Sequence, residues 1–92
     1  MRKRLEFSYP LDYTLYNTEE ITTIIEFLDT VEKCYFEGVD NDEYTAIYKK
    51  FKTVVRAKSE ENNIYKQFKE VTDYDGYQTT KLMKEKRPKI KL

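Results

Sequence analysis

Asn17-Thr18-Glu19-Glu20-Ile21-Thr22-Thr23-Ile24-Ile25-Glu26-Phe27-Leu28-Asp29-Thr30-Val31-Glu32-Lys33-Cys34-Tyr35-Phe36-Glu37-Gly38 reads as one complete helix with both ends marked. Asn17 is a good N-cap, and Glu20 stands three residues on, in the spacing of a capping box. Ile21, Ile24, Ile25, Leu28, Val31 and Tyr35 recur every three or four residues and so share one face, which Phe27 and Cys34 widen. Gly38 ends the helix as a residue able to adopt positive φ at C′. An apolar stripe of that length must be buried against something. With only two glycines and two prolines in 92 residues, the rest of the chain supplies helices more readily than strands.

Outward from this helix the same spacing continues. A second helix follows within a few residues and runs antiparallel to the first, with Asp40 as its cap, Glu43 as the box partner, and a stripe of Tyr44, Ile47, Tyr48, Phe51 and Val54 or Val55. An unbroken continuation would put Lys58 and Glu61 on the buried stripe. Unpaired charges there cost several kcal/mol, so a break is expected near Arg56 to Ser59. A third helix then starts near 57–59 with Glu60 and Glu61 in its first turn, where the dipole favours them. Its stripe is Ile64, Phe68 and Val71, with Tyr65 at the margin. After a turn at Thr72-Asp73, a short fourth helix from about Asp75 to Lys84 turns Tyr74, Tyr77, Thr80 and Met83 inward. Ahead of the first helix, Phe7, Tyr9, Leu11, Tyr13 and Leu15 alternate with more polar residues; a lone strand has nothing to pair with, so residues 1–16 read as an extended arm lying across the helices. The expected fold is therefore all-α, a small bundle of four helices (17–84) with that arm and a basic, disordered tail over 85–92, where Pro88 excludes a helix.

Composition narrows the function. The chain has no histidine and a single cysteine, so it lacks an imidazole base and a Cys/His zinc cluster. No signal peptide or spanning segment is legible, and one thiol suits a reducing compartment, so a cytoplasmic protein with no membrane association is expected. The formal net charge is zero but unevenly spread: about −10 over Glu6–Glu43, about +5 over Lys49–Lys69 and about +5 over Lys81–Leu92. Packing of the acidic helix beside the basic one is the plainest explanation.

Tyr9-Pro10-Leu11-Asp12, Asn17-Thr18-Glu19-Glu20-Ile21, Val31-Glu32, Glu37-Gly38-Val39, Tyr48, Phe51-Lys52, Val54-Val55, Lys58, Glu60-Glu61, Tyr74 and Tyr77 occur in an order that resembles the YktA-type uncharacterised protein family of low-GC Gram-positive bacteria. The resemblance runs from about Tyr9 to Lys84 and implies a small all-helical cytoplasmic domain, without implying an activity. Tyr16 stands where that pattern usually has tryptophan, and Arg56 where it usually has proline.

Candidate chemistry is thin. Cys34 lies near the C-terminus of its helix, where the dipole opposes a thiolate, so a buried inert thiol is expected. Asp40, Asp42 and Glu43 lack the glycine a calcium loop needs, since the sixth position is Thr45. Glu19/Glu20 and Glu60/Glu61 are adjacent on helices and do not face each other, so they form no acid–base pair. No catalytic residue, cofactor or metal is expected, and an enzyme is the least favoured reading. Nine tyrosines exceed what a small core needs, and tyrosine suits interface cores. Tyr13, Tyr16, Tyr65 and Tyr74 are therefore candidates for binding an unidentified protein partner, in a monomer or homodimer. The alternative is nucleic-acid or ribosome association, not favoured, through Lys49, Lys50, Lys52, Arg56, Lys58, Lys84, Lys86 and Arg87. Tyr48 and Phe51 face the core in this reading and make poor stacking platforms.

Overall fold

A computed structural model describes residues 15–92. Its elements are α1 (Thr18–Phe36), β1 (Val39–Asp40), α2 (Asn41–Val54), α3 (Lys58–Thr72), α4 (Gly76–Lys84) and β2 (Lys89–Ile90). The fold is all-α, and among the described residues it has four helices and one two-residue antiparallel pairing of β1 with β2. The extended arm expected over 1–16 lies almost wholly outside the described residues, and Tyr13 with it.

Both ends of α1 are closed as the sequence predicts. The Asn17 side chain accepts from the Glu20 amide at 2.8 Å, and the Asn17 amide donates to Glu20 Oε1 at 2.9 Å. At the other end Gly38 takes φ +85° and its amide reaches the Lys33 carbonyl at 3.0 Å, a conformation that favours glycine. The stripe of α1 (Ile24, Phe27, Leu28, Val31, Cys34) is buried against Tyr44 and Phe51 of α2 and Ile64, Tyr65 and Phe68 of α3. Phe27 is the centre of that core: its ring stacks on Phe51 at 4.2 Å and meets Tyr44 edge-on at 5.6 Å.

The break between α2 and α3 falls at 55–57, at the start of the expected 56–59; it leaves Lys58 exposed, but Glu61 is buried despite it. Val55 turns into the core, fully buried, at the C-cap of α2. Four details differ from expectation. Asp40 occupies the N-cap position of α2 but makes no side-chain cap bond, and Glu43 instead lies 3.9 Å from Lys33. On α3 the inward face is Glu61, Ile64, Tyr65 and Phe68, so Tyr65 is 4% exposed and Val71 is 48% exposed. The stripe is rotated because it includes a buried carboxylate that a purely apolar count leaves out. On α4 the inward face is Gly76, Thr79, Thr80 and Met83, and Tyr77 points outward. That face is selected by hydroxyl pairing, Tyr44 Oη lying 2.7 Å from Thr79 Oγ1 and 2.8 Å from Thr80 Oγ1.

The fourth difference is the C-terminal segment, which is a strap and not a disordered tail. Val39 pairs with Ile90 and Asp40 with Lys89, and the Leu92 amide donates to the Cys34 carbonyl at 3.1 Å. Ile90 is fully buried. Asn41 fastens the turn before the strap: its amide donates to the Pro88 carbonyl at 3.0 Å, and its Nδ2 donates to the carbonyls of Met83 at 3.0 Å and Arg87 at 2.8 Å. Pro88 forbids a helix there but not a strand, and a single isoleucine among lysines is enough to anchor an extended segment. Ile90→Ala should lower stability by roughly 2–4 kcal/mol, as expected for a cavity in a closed core. Urea unfolding followed by circular dichroism checks this, and an unchanged midpoint would show that the strap does not seal the core.

Candidate functional site at the α3–α4 face

Glu61 is the structural surprise. It lies in the first turn of α3 and is 1% exposed. Three donors from two helices answer its charge. Lys52 Nζ of α2 reaches Oε1 at 2.7 Å, Tyr48 Oη of α2 donates to Oε2 at 3.1 Å, and Tyr65 Oη, one turn along α3, donates to the same oxygen. Tyr65 Oη also lies 3.2 Å from Thr80 Oγ1, which continues the network to Tyr44 and Thr79. Burial by itself would raise the Glu61 pKa, but the Lys52 contact and the two tyrosyl hydroxyls outweigh it, and the carboxyl is held below the ordinary glutamate value. The same neighbourhood acts oppositely on the phenols: burial, then the Glu61 charge, pushes Tyr48 up to about 12, and burial, then the hydrogen bond to Glu61, raises Tyr65.

Gly76 makes this arrangement possible. A Cβ at that position would sit 2.7 Å from the Tyr65 ring, so only glycine lets the ring lie flat against the start of α4 with its hydroxyl directed at Glu61 and Thr80. Asp75 caps α4 by accepting from Tyr77 N at 2.9 Å and Gln78 N at 3.4 Å.

Tyr77 stands between two hollows, and the buried Tyr65 ring belongs to the lining of both. One, of about 280 Å³, is lined by Asn62, Lys66, Lys69 and Asp75 together with the two tyrosines. The other, of about 220 Å³, has Glu61, Tyr65 and Thr80 among its lining, with Lys58, Lys81, Lys84 and Glu85 around them. Tyr77 is 52% exposed and the five lysines are exposed.

The sequence-predicted residues divide accordingly. Tyr65 is core and network, not free surface, and its candidacy as a surface contact is corrected by its burial. Tyr16 is partly buried against the core, and Tyr74 packs on Tyr35 at 4.9 Å. These tyrosines do not make one patch; Tyr77, expected to face inward, is instead exposed. Among the basic candidates, Lys52 is committed to Glu61. Lys58 and Lys84, from separate basic stretches, meet at one hollow, and Lys84 Nζ lies 5.8 Å above the Tyr48 ring. Lys49, Lys50 and Arg56 are exposed on and just after α2, and Lys86 and Arg87 line a separate groove with Asp42 and Glu43. Cys34 is fully buried, and burial followed by the nearby Glu43 charge pushes its thiol up to about 12, so it is a core residue. The one cue to Glu61 in the sequence is its i, i+4 spacing to Tyr65 and i, i+3 spacing to Ile64, which places an acid on the apolar stripe.

Removing the carboxylate leaves Lys52 and Tyr65 with only their longer contacts, to the Arg56 carbonyl at 3.4 Å and to Thr80 Oγ1 at 3.2 Å, although Lys52 retains 27% exposure and can rehydrate. Glu61→Ala should therefore destabilise by about 2–3 kcal/mol, below the value for a fully enclosed pair. Because the folded pKa is depressed, the stabilisation is fully present above the unfolded glutamate pKa and is lost as pH falls through the folded one. The stability gap between the native chain and Glu61→Gln should then be widest near neutrality and close below roughly pH 4. Urea midpoints measured across that range check the sign, and a gap that widens in acid would refute the assignment.

The chain matches the model of an uncharacterised protein family, UPF0223, over residues 6–91. It is 45% identical over 80 residues to a UPF0223 protein of Streptococcus thermophilus, covering 87% of this chain and 85% of that one. It is 42% identical over 82 residues to one of Listeria welshimeri, at 87% and 88% coverage. It is 38% identical over 81 residues to one of Oceanobacillus iheyensis, at 88% and 91% coverage. With a family match over nearly its whole length and relatives that it covers by 85% or more, this all-α chain belongs to the uncharacterised protein family UPF0223.

Proposed function

We propose that the chain is a non-enzymatic protein-interaction module of the cytoplasm, and that its contact surface is the α3–α4 face. The observation that carries this reading is the Tyr77 ridge: a half-exposed aromatic ring flanked on both sides by hollows whose rims carry Lys58, Lys66, Lys69, Lys81 and Lys84. Tyrosine beside a hollow is the residue type that most often dominates a protein interface, since it buries a large ring while keeping a hydroxyl for bonding. The surrounding lysines select an acidic partner segment by charge complementarity and speed its encounter. A rigid floor supports the ridge, because Tyr65 beneath it is fixed by Glu61, Thr80 and Gly76.

The meeting of Lys58 with Lys81 and Lys84 also favours a second reading, a nucleic-acid backbone laid across the same face. Asp75 and Glu85 interrupt that face and argue against it. Polarisation of a labelled single-stranded RNA at low salt tests it directly; binding should fall with salt and with Lys58→Ala, and no binding at low salt removes the reading. Deleting the C-terminal strap is unsuitable for this purpose, since it removes Ile90 from the core.

For the preferred reading, the immobilised chain is exposed to native lysate from its host and bound protein is cross-linked and identified. A specific acidic protein should be recovered, its yield should fall with salt, and Tyr77→Ala should reduce it at least about tenfold, the loss expected for a central aromatic anchor. The variant should keep the native unfolding midpoint to within about 1 kcal/mol, because the ring is already half in solvent. Recovery that is indifferent to Tyr77→Ala, or no specific recovery, would sink the proposal.

A further inference from the structure

The hollow beneath Lys58, Lys81 and Lys84 has a charge pattern of its own. Two carboxylates belong to its lining, and each is answered by a cation outside that lining: Glu61 by Lys52 at 2.7 Å, and Glu85 by Arg87 at 3.7 Å. Among the described residues, none of the three lysines is paired with a carboxylate within 4 Å. Lys84 instead rests over the Tyr48 ring. Three lysines from the start of α3 and the outer side of α4 thus line one concavity, and the two carboxylates beside them are each engaged by another cation.

We infer that this hollow binds a phosphoryl group carried as a monoester. The inference rests on the reading of the α3–α4 face as a binding surface, and it names the chemistry the face takes. A phosphate monoester carries about −1.5 to −2 charges at neutral pH and several acceptor oxygens, which matches three point-charge donors. A single carboxylate would leave two of the lysines unanswered. Size agrees: about 220 Å³ is smaller than the roughly 300–1,000 Å³ that encloses a drug-sized ligand, so the hollow accepts a head group while the remainder lies outside along Tyr77. The floor hydroxyls of Tyr65 and Thr80 are already engaged with Glu61 and Tyr44, so the lysines hold the ligand and it sits at the mouth. Glu61 does not repel it strongly, because its charge is spread over Lys52 and two phenols.

The test is an amide chemical-shift titration of the full chain with inorganic phosphate, phosphoserine, a phosphoserine peptide and, as a monoanionic control, acetate. Phosphate and phosphoserine should produce saturable shifts centred on Lys58, Tyr77, Thr80 and Lys81, and acetate should not. Lys58→Ala and Lys81→Ala should each weaken binding about tenfold, as the loss of one charge-assisted contact implies, whereas Lys49→Ala and Lys50→Ala should not. Affinity should also fall as pH drops below about 6, where the second phosphate proton returns. Tighter binding of the peptide assigns the group to a phosphorylated protein, and equal binding assigns it to a small phosphorylated molecule; either supports the site. No saturable shift, equal shifts with acetate, or indifference to Lys58→Ala and Lys81→Ala overturns it. If phosphate fails while partner recovery still depends on Tyr77, this inference falls and the interaction-module reading stands. If phosphate binds but no partner depends on Tyr77, the reverse holds.

Discussion

One carboxylate inside a small helical core dictates how three of its helices meet. Glu61 has almost no contact with water, and a bare charge in that position would cost several kcal/mol. It is tolerated only where Lys52, Tyr48 and Tyr65 all reach it, which fixes the register of α3 against α2. The Tyr65 ring in that pose packs against Gly76, where a Cβ would lie 2.7 Å from it, and this close approach fixes the start of α4. The energetic logic is asymmetric. A well-packed apolar group of similar volume would stabilise the fold about as much, but the charge excludes other registers, in which it would be left unpaired. An apolar stripe tolerates sliding by a turn, and this network does not.

That constraint also explains the uneven charge of the sequence. The basic stretch of α2 does not simply face the acids of α1. One of its lysines, Lys52, is consumed inside by Glu61, and Lys33 is the α1 residue that meets an α2 acid, Glu43. The basic side chains of α3 and α4 are carried to the outer side of the junction because their inner sides are occupied by tyrosine and threonine hydroxyls. Surface positive charge at Lys58, Lys81 and Lys84 is thus a by-product of how the interior is satisfied, and it is concentrated where the helices leave a concavity.

What could be read in advance follows from which forces leave a local signature. The capping box of α1, the Gly38 stop and the stripe through Ile24, Phe27, Leu28 and Val31 are local, and so are the apolar spacings that mark the other three helices of the described residues. The orientation of α3 and α4 does not. Apolar counting cannot place Val71 and Tyr77 outside when the decisive contacts are a carboxylate bonded across 13 residues to Tyr48 and hydroxyls bonded across 35 and 36 residues to Tyr44. The strap was hidden for a related reason. Lys89-Ile90-Lys91 has no helical period and one apolar residue, and only the open edge of Val39–Asp40 gives it a place to go. Tyr65 misleads as a surface candidate because its hydroxyl is satisfied by the protein itself, through Glu61 and Thr80.

The helix that bears the proposed contact residues is the one least able to stand alone. α4 has nine residues, too few to persist as an isolated helix in water. It is held at its start by the Asp75 cap and by the Asp75 amide donating to Tyr35 Oη at 2.9 Å, along its inner face by Tyr44 and Tyr65, and at its end by Asn41 gripping the Met83 carbonyl. All of these restraints come from the inner side or the ends. The outer side, with Tyr77, Lys81 and Lys84, carries no part of that fastening apart from the Lys84 contact to Tyr48. A surface arranged in this way can be altered without loosening the helix, while the helix itself is positioned to within a hydrogen-bond length from three directions. Any ligand that bridges Lys58 on α3 to Lys81 on α4 would add a fourth restraint and raise the stability of the folded chain in proportion to its affinity. Binding at this face, as proposed, would therefore be coupled to the Glu61 network through Tyr65, which bonds Glu61 and lies 3.2 Å from Thr80 of α4.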